Sequence, residues 1–422
     1  MGKKSKRIKI SIITSFLVVG LFLGANLKST VKADNDSFSN QLNAPKIITL
    51  GDNKVENQLT GRVNNIVVKN NSINDANYSS LQRRTRSATT LPTEYKVPEI
   101  DPDNGIINYV RNQNPYGTCW AFATLASAES SIFRQTGNRN INLSVYQLAS
   151  AAYGSKMYND YQNGLDGGSE FVSGAALANW YGATDYNNFP YPSTSGAKIS
   201  TNPKVYTDHS YTLRNMYRFP SNKGSDGAYS EENVAAIKEG VMKYGVLLTS
   251  YYHPSNDTPY FNRTYNSFYY SDDLQDYYEN VANHSVSIVG WDDNFSANHF
   301  NNTPAGDGAF KIKNSWGTSW GDNGYFWISY YDKSLCSSYY YDMYPKGTVP
   351  ANRLYSYDNL QNINAGSIYT PYEWMSNIFT INDGSNKRTT PSYITFYASN
   401  PGTKWKIYAY KNPKSGNPTS GT

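Results

Sequence analysis

Cysteine and histidine are both scarce in this chain: 422 residues include two of the first and four of the second. Two cysteines far apart, Cys119 and Cys336, exclude the disulfide framework that braces many small secreted domains. Both are read as free thiols, Cys336 in a structural role. Charge is also sparse, at 17% of residues, and the formal +5 misleads. Seven of the 38 Lys and Arg fall in residues 1–33, which hold no acid, leaving 31 against 33 Asp and Glu in the rest. That balance excludes a nucleic-acid partner. Beyond the N-terminus no segment is apolar enough to cross a bilayer, there are no internal repeats, and neither metal nor cofactor is expected.

What the chain does have is tyrosine, 39 of them within an aromatic content of 15%. Burial should therefore lean on amphipathic rings whose hydroxyls need partners. At the N-terminus, Lys3, Lys4, Lys6, Arg7 and Lys9 precede an apolar run from about Ile10 to Ala25, and Val31-Lys32-Ala33 offers small residues for cleavage. Residues 1–33 read as a secretory signal peptide cut after Ala33. An uncleaved anchor is the alternative, for which the run is short. Residues 34–90, rich in Asn, Ser, Thr and Asp, read as a weakly structured pro-segment or linker closing on the basic cluster Arg83, Arg84, Arg86.

From Leu91 the composition changes. Helical periodicity runs from Cys119 to about Gln135 with Gly137 as C-cap, then from Ser144, as N-cap, through Leu148. Further helices are expected over Phe171–Tyr181 and Glu231–Tyr244, the last ended by Gly245. The period then changes to two. Val246–Tyr251, Ser285–Val289, Ala309–Lys313 and Tyr325–Ser329 read as strands, so residues 91–345 form an α+β domain with a helical and an antiparallel β half. Residues 346–422 show only short aromatic-rich strands, Tyr355–Tyr357, Trp374–Ile381, Tyr393–Ala398 and Trp405–Tyr410, as in part of a β-sandwich.

Cys119 follows Gln113-Asn114-Pro115-Tyr116-Gly117-Thr118 and opens the first helix. Unpaired N–H groups and the helix dipole there favour the thiolate, the reactive form of cysteine. A small buried cysteine is the plainer reading of that residue alone. Among the histidines, His209, His253 and His299 lie in polar or Tyr-rich loops, whereas His284 opens a strand that would hold its imidazole rigidly. Asn314 follows thirty residues later in Lys313-Asn314-Ser315-Trp316-Gly317. A thiol nucleophile needs a base, and the base needs a partner for its second nitrogen. His284 and Asn314 supply the two, and Trp316 can shield their hydrogen bond.

Cys119-Trp120-Ala121-Phe122, Asn283-His284, and the run from Lys313 to Tyr325 with its Trp316, Trp320 and Gly324 resemble the three signature regions of papain-like cysteine peptidases, in that family's order. The resemblance covers about residues 91–335. It implies a two-lobed fold, helical lobe plus antiparallel β-barrel lobe, and a peptide-bond hydrolase acting through a Cys–His thiolate pair and an acyl-enzyme thioester. It implies Cys119 as nucleophile, His284 as base and acid, Asn314 as the orienting residue, and Gln113 with the Cys119 N–H as oxyanion donors. Gly167-Gly168 matches the segment that pairs with substrate, and Ala282 the residue that helps shape the main specificity pocket.

Two departures stand out. Where the family has a disulfide beside the nucleophile, this chain has Tyr116 and Leu165, for which an aromatic–aliphatic contact is the expected substitute. The long His284-to-Asn314 interval resembles secreted bacterial members, in which a lectin-like β-domain follows the peptidase. The expected location is outside the cell or on the surface of a Gram-positive bacterium, with protein or peptide substrates and a cell-surface or glycan ligand for the β-domain. A surface adhesin with an accessory peptidase fold and a cell-wall peptide hydrolase are the competing readings.

Overall fold

A run of small residues makes the central helix possible. The computed structural model describes residues 91–346 apart from 108, 155–164, 225 and 273–281, and the backbone of six further strands. Within it α1 (Cys119–Thr136) is buried continuously from Cys119 to Ile132. A helix without a polar face belongs inside a protein, and Ala121, Ala123, Ala126 and Ala128 let neighbours approach its backbone. Its serines are used as acceptors: Ser127 Oγ takes the Tyr341 N–H at 3.1 Å and Ser131 Oγ that of Met343 at 3.0 Å. Ser130 Oγ takes the Val246 N–H at 3.1 Å. Gly137 ends the helix at φ 70°, the left-handed C-cap expected of it.

The helices α2 (Val145–Gly154), α3 (Glu170–Ala178) and α4 (Glu231–Tyr244) follow. Ser144 caps α2 through the Gln147 N–H at 3.0 Å, as expected, although the helix continues six residues past Leu148. The expected helix at Phe171–Tyr181 starts one residue earlier and stops at Ala178. The fourth keeps its expected bounds.

The strands are β1 (Glu94–Lys96), β2 (Tyr211–Phe219), β3 (Leu247–Tyr251), β4 (Phe261–Asn262), β5 (Ser267–Phe268), β6 (His284–Asp292), β7 (Ala309–Lys313), β8 (Tyr325–Ser329) and β9 (Ser338–Pro345). They form one nine-stranded sheet in the order β2-β9-β3-β6-β7-β8-β5-β4, with β1 paired to β6 off that path. The expectation of an antiparallel lobe needs one correction, since β8 and β5 run parallel through Trp327 and Ser267. β6 lies centrally, between β3 and β7, and is buried from His284 to Trp291. Its pairing with β7 shifts register between Lys311 and Ile312. At Gly290 a Cβ would meet the Tyr95 carbonyl oxygen at 2.2 Å, so only glycine lets β1 close on this strand.

The backbone divides into one unit at Ala88–Val349 and another that combines Met1–Ser87 with Pro350–Thr422. In the second, Ile8–Leu17, part of the run read as a leader, pairs with Glu373–Ile381 and with Lys404–Lys411. Lys46–Ile48 pairs with Lys404–Lys411, and Val63–Val67 with Tyr393–Tyr397. Three of the four strands expected beyond Pro350 are therefore present. The fourth, Tyr355–Tyr357, lies outside the described residues.

Candidate active site

Cys119 is the first residue of α1, and the residue before it does not cap the helix. The Thr118 hydroxyl is engaged instead by Tyr191 Oη at 2.6 Å, and Tyr191 donates to the Gln113 carbonyl at 2.6 Å. The first N–H groups of α1 are thereby left for the thiol, which interacts with the N–H groups of Cys119 and Trp120 and with Ser285. Those donors favour the thiolate, as the sequence suggested, but burial outweighs them and pushes the thiol up. Ser285 follows His284 on β6, so the contact sets the thiol beside the head of that strand.

The His284 ring is fixed on two sides. Its Nε2 lies 2.8 Å from Asn314 Oδ1, and the same oxygen accepts the Ser315 N–H at 2.8 Å. A backbone N–H can only donate, which sets the amide orientation and makes Nε2 the protonated nitrogen of the neutral ring. Nδ1 is then free to take a proton. Trp316 stacks on the imidazole at 4.6 Å and 25°, and Trp320 closes on Trp316 edge-on at 4.9 Å. Burial pushes the imidazole down to about 4, against the pull of Asn314.

Asn314 sits just past β7, where its N–H bonds the Gly324 carbonyl at 2.9 Å. The segment before Cys119 is tied to that loop: Gln113 N–H donates to Ser315 O at 2.7 Å and Gly317 N–H to Arg111 O at 3.1 Å. Gln113 Nε2 donates to the Tyr116 carbonyl at 2.9 Å while Oε1 accepts from Ser315 Oγ at 2.7 Å. One amide hydrogen of Gln113 remains unused by these bonds.

The glycines have separate reasons to be glycine. Gly167 has φ 137°, a backbone that side chains rarely adopt, while a Cβ at Gly168 would lie 2.3 Å from the Trp120 indole. A Cβ at Gly117 would sit 3.2 Å from Gly167 N, so the pair runs beside the nucleophile loop. Ala282 is half-buried two residues before His284. Tyr116 lies in the same core as Leu165 and has polar bonds besides: its hydroxyl donates to Thr194 O at 2.5 Å and accepts the Ala197 N–H at 2.7 Å. Polar bonds to the 194–197 loop brace the position where a disulfide was missing, with Leu165 fully buried in the same core. Cys119 and Cys336 are both free thiols.

Three neighbours of the site escaped the sequence reading. Ser285 contacts the thiol, Tyr251 lies opposite His284 across β3 and β6, and His253 stands 6.3 Å from His284, ring centre to ring centre. Tyr251 follows from strand register alone. For His253 the only sequence signal was Asp257, four residues on.

Among the described residues no group of His, Cys, Asp and Glu is arranged to hold a metal ion, and no helix is long and apolar enough to cross a membrane. Residues 92–346 match the description "Papain family cysteine protease". Fruit bromelain of Ananas comosus is 27% identical over 228 residues, 53% of this chain and 52% of the relative. A cathepsin B-like cysteine proteinase of Caenorhabditis elegans is 28% identical over 259 residues, 56% and 61% of the two chains. The chain thus spans about half to three-fifths of the length of these curated relatives. A crystal structure of the cysteine protease and lectin-like domains of Cwp84, a surface layer associated protein of Clostridium difficile, is similar in fold at 20% identity and a TM-score of 0.52, covering 78% of this chain and 77% of that one. With the cysteine at the head of a helix beside Ser285 and the adjacent strand-borne histidine bonded to the asparagine, the match over residues 92–346 has one meaning: the chain belongs to the papain family of cysteine proteases.

Proposed function

We propose that this chain is a secreted endopeptidase in which Cys119 is the nucleophile and His284 its base. The observation that carries the reading is the His284 Nε2–Asn314 Oδ1 bond, which leaves Nδ1 as the nitrogen that takes the thiol proton. The thiolate attacks the peptide carbonyl, and the oxyanion is met by the Cys119 N–H and the spare Gln113 amide hydrogen. His284 returns its proton to the leaving amine, a thioester forms on Cys119, and water activated by His284 releases the acid. Gly167 and Gly168 pair with the substrate backbone, Ala282 lines the specificity pocket, and Trp316 keeps water from the His284–Asn314 bond.

Labelling with an active-site-directed thiol reagent, read by mass spectrometry, should modify Cys119 and not Cys336, and His284→Ala should abolish it. Casein hydrolysis should vanish in Cys119→Ala with the fold intact. Undiminished hydrolysis in that variant would overturn the assignment.

Secretion and the role of the second unit belong to the same proposal. The basic N-terminus and apolar run support export, with residues 34–90 as pro-segment. Support for a lectin-like C-terminal region is the Cwp84 likeness, whose 78% coverage exceeds the peptidase span. A protein described as surface layer associated favours a second reading, action at a cell wall. Incubation with peptidoglycan and with unfolded protein separates the two substrate classes.

A further inference from the structure

Next to His284 stands a second histidine whose two ring nitrogens both face polar groups. His253 Nδ1 lies 3.1 Å from the hydroxyl of Tyr251, whose side chain is fully buried. Its Nε2 faces Asp257 Oδ2 at 3.8 Å, and Asp257 is held by Arg263 through bonds of 2.8 and 2.9 Å. The backbone of His253 is clamped to the residue preceding His284: its N–H donates to Asn283 Oδ1 at 2.8 Å, and Asn283 Nδ2 donates to its carbonyl at 2.8 Å.

Two walls of the His284 pocket end on this ring. Tyr251 is the cross-strand partner of His284 and meets it edge-on at 5.8 Å. Trp316, which stacks on His284, receives His253 at 5.2 Å and 75°. Phe268 of β5 covers the other side at 5.8 Å. The titratable and charged groups facing His253 are thus Tyr251 on β3, His284 on β6, Asp257 on the loop between β3 and β4, and Arg263 just after β4.

We propose that His253 is a positioning residue for His284, acting as the neutral tautomer with its proton on Nε2. Nδ1 then accepts the Tyr251 proton and Nε2–H points at Asp257. Taking a second proton from solvent onto Nδ1 removes the acceptor that the Tyr251 hydroxyl has among the described residues and places a cation beside His284, which must itself become cationic in turnover. Protonation of His253 therefore loosens Tyr251 and opposes the thiolate–imidazolium pair. Burial, which holds His253 below the ordinary histidine range, agrees with this arrangement. The inference rests on the catalytic reading of His284 above.

The test uses the full chain with His253→Gln and Tyr251→Phe. Long-range 15N–1H correlation spectra of the four histidines should show Nδ1 of His253 bare and Nε2 protonated at neutral pH. His253→Gln should lower kcat about tenfold with little change in KM, and should remove one ionisation from the acid limb of kcat/KM. Tyr251→Phe, which keeps the ring, should raise the midpoint of that ionisation. A protonated Nδ1 in neutral His253, or a wild-type pH profile in both variants, would overturn the inference. An active enzyme with the wrong tautomer sinks only this role, whereas the expected tautomer in a chain that hydrolyses no peptide sinks the catalytic reading and the role together.

Discussion

Cys119 and His284 are disfavoured as charges by the same cause, burial, which raises one and lowers the other. Neither charges readily by itself, but a proton passed between them creates both charges at once, each the partner of the other. For stability the His284 shift has a definite sign. Above its ordinary 6.5 the residue is neutral folded and unfolded, and its contribution is complete. Between 6.5 and about 4 the unfolded chain binds a proton that the folded one refuses, so stability falls as pH falls. In a Cys119→Ala background, which prevents self-digestion, denaturation between pH 7 and 4 should show a loss of about 3 kcal/mol from this residue, and His284→Gln should flatten it. Gln113→Ala should lower kcat by about 10²–10³-fold with KM little changed, as expected for an oxyanion donor. The His284–Asn314 pair was legible in the sequence because a base and its orienting partner restrict the residue types. His253 was not, since its significance lies in strand register and a turn rather than in any motif of its own.

The helices and strands divide by how local their causes are. α4 was read residue for residue, with Gly245 marking its end in the sequence, and its causes are local: the structure adds Ser230 as the cap at its start. β7 and β8 were read equally well from their alternation. β2 and β9 were missed: they pair with each other across more than a hundred residues of chain, and the consecutive tyrosines of β9 hide its period. The docking of β9 on α1 depends on serine hydroxyls that no periodicity reveals. Ser127→Ala should leave the Tyr341 N–H without its acceptor in a fully buried position and cost about 1–3 kcal/mol in urea denaturation.

At the scale of the molecule, the main core extends from Val97 to Met343 and so lies within the Ala88–Val349 unit. Proteolytic maturation that keeps this unit intact should leave its packing unchanged. N-terminal sequencing of protein recovered from the medium of an exporting host should begin at Asp34, or after the Arg83–Arg86 cluster once the pro-segment is removed. The continuous burial of α1 has a consequence for how the enzyme opens. Its backbone amides beyond the first turns should exchange for deuterium only when the whole unit unfolds. A small thiol reagent, in contrast, should reach Cys119 at the end of that same helix from the native state. Deuterium uptake in α1 and alkylation of Cys119, followed together in rising denaturant, should therefore begin with widely separated rates and converge as global opening takes over both.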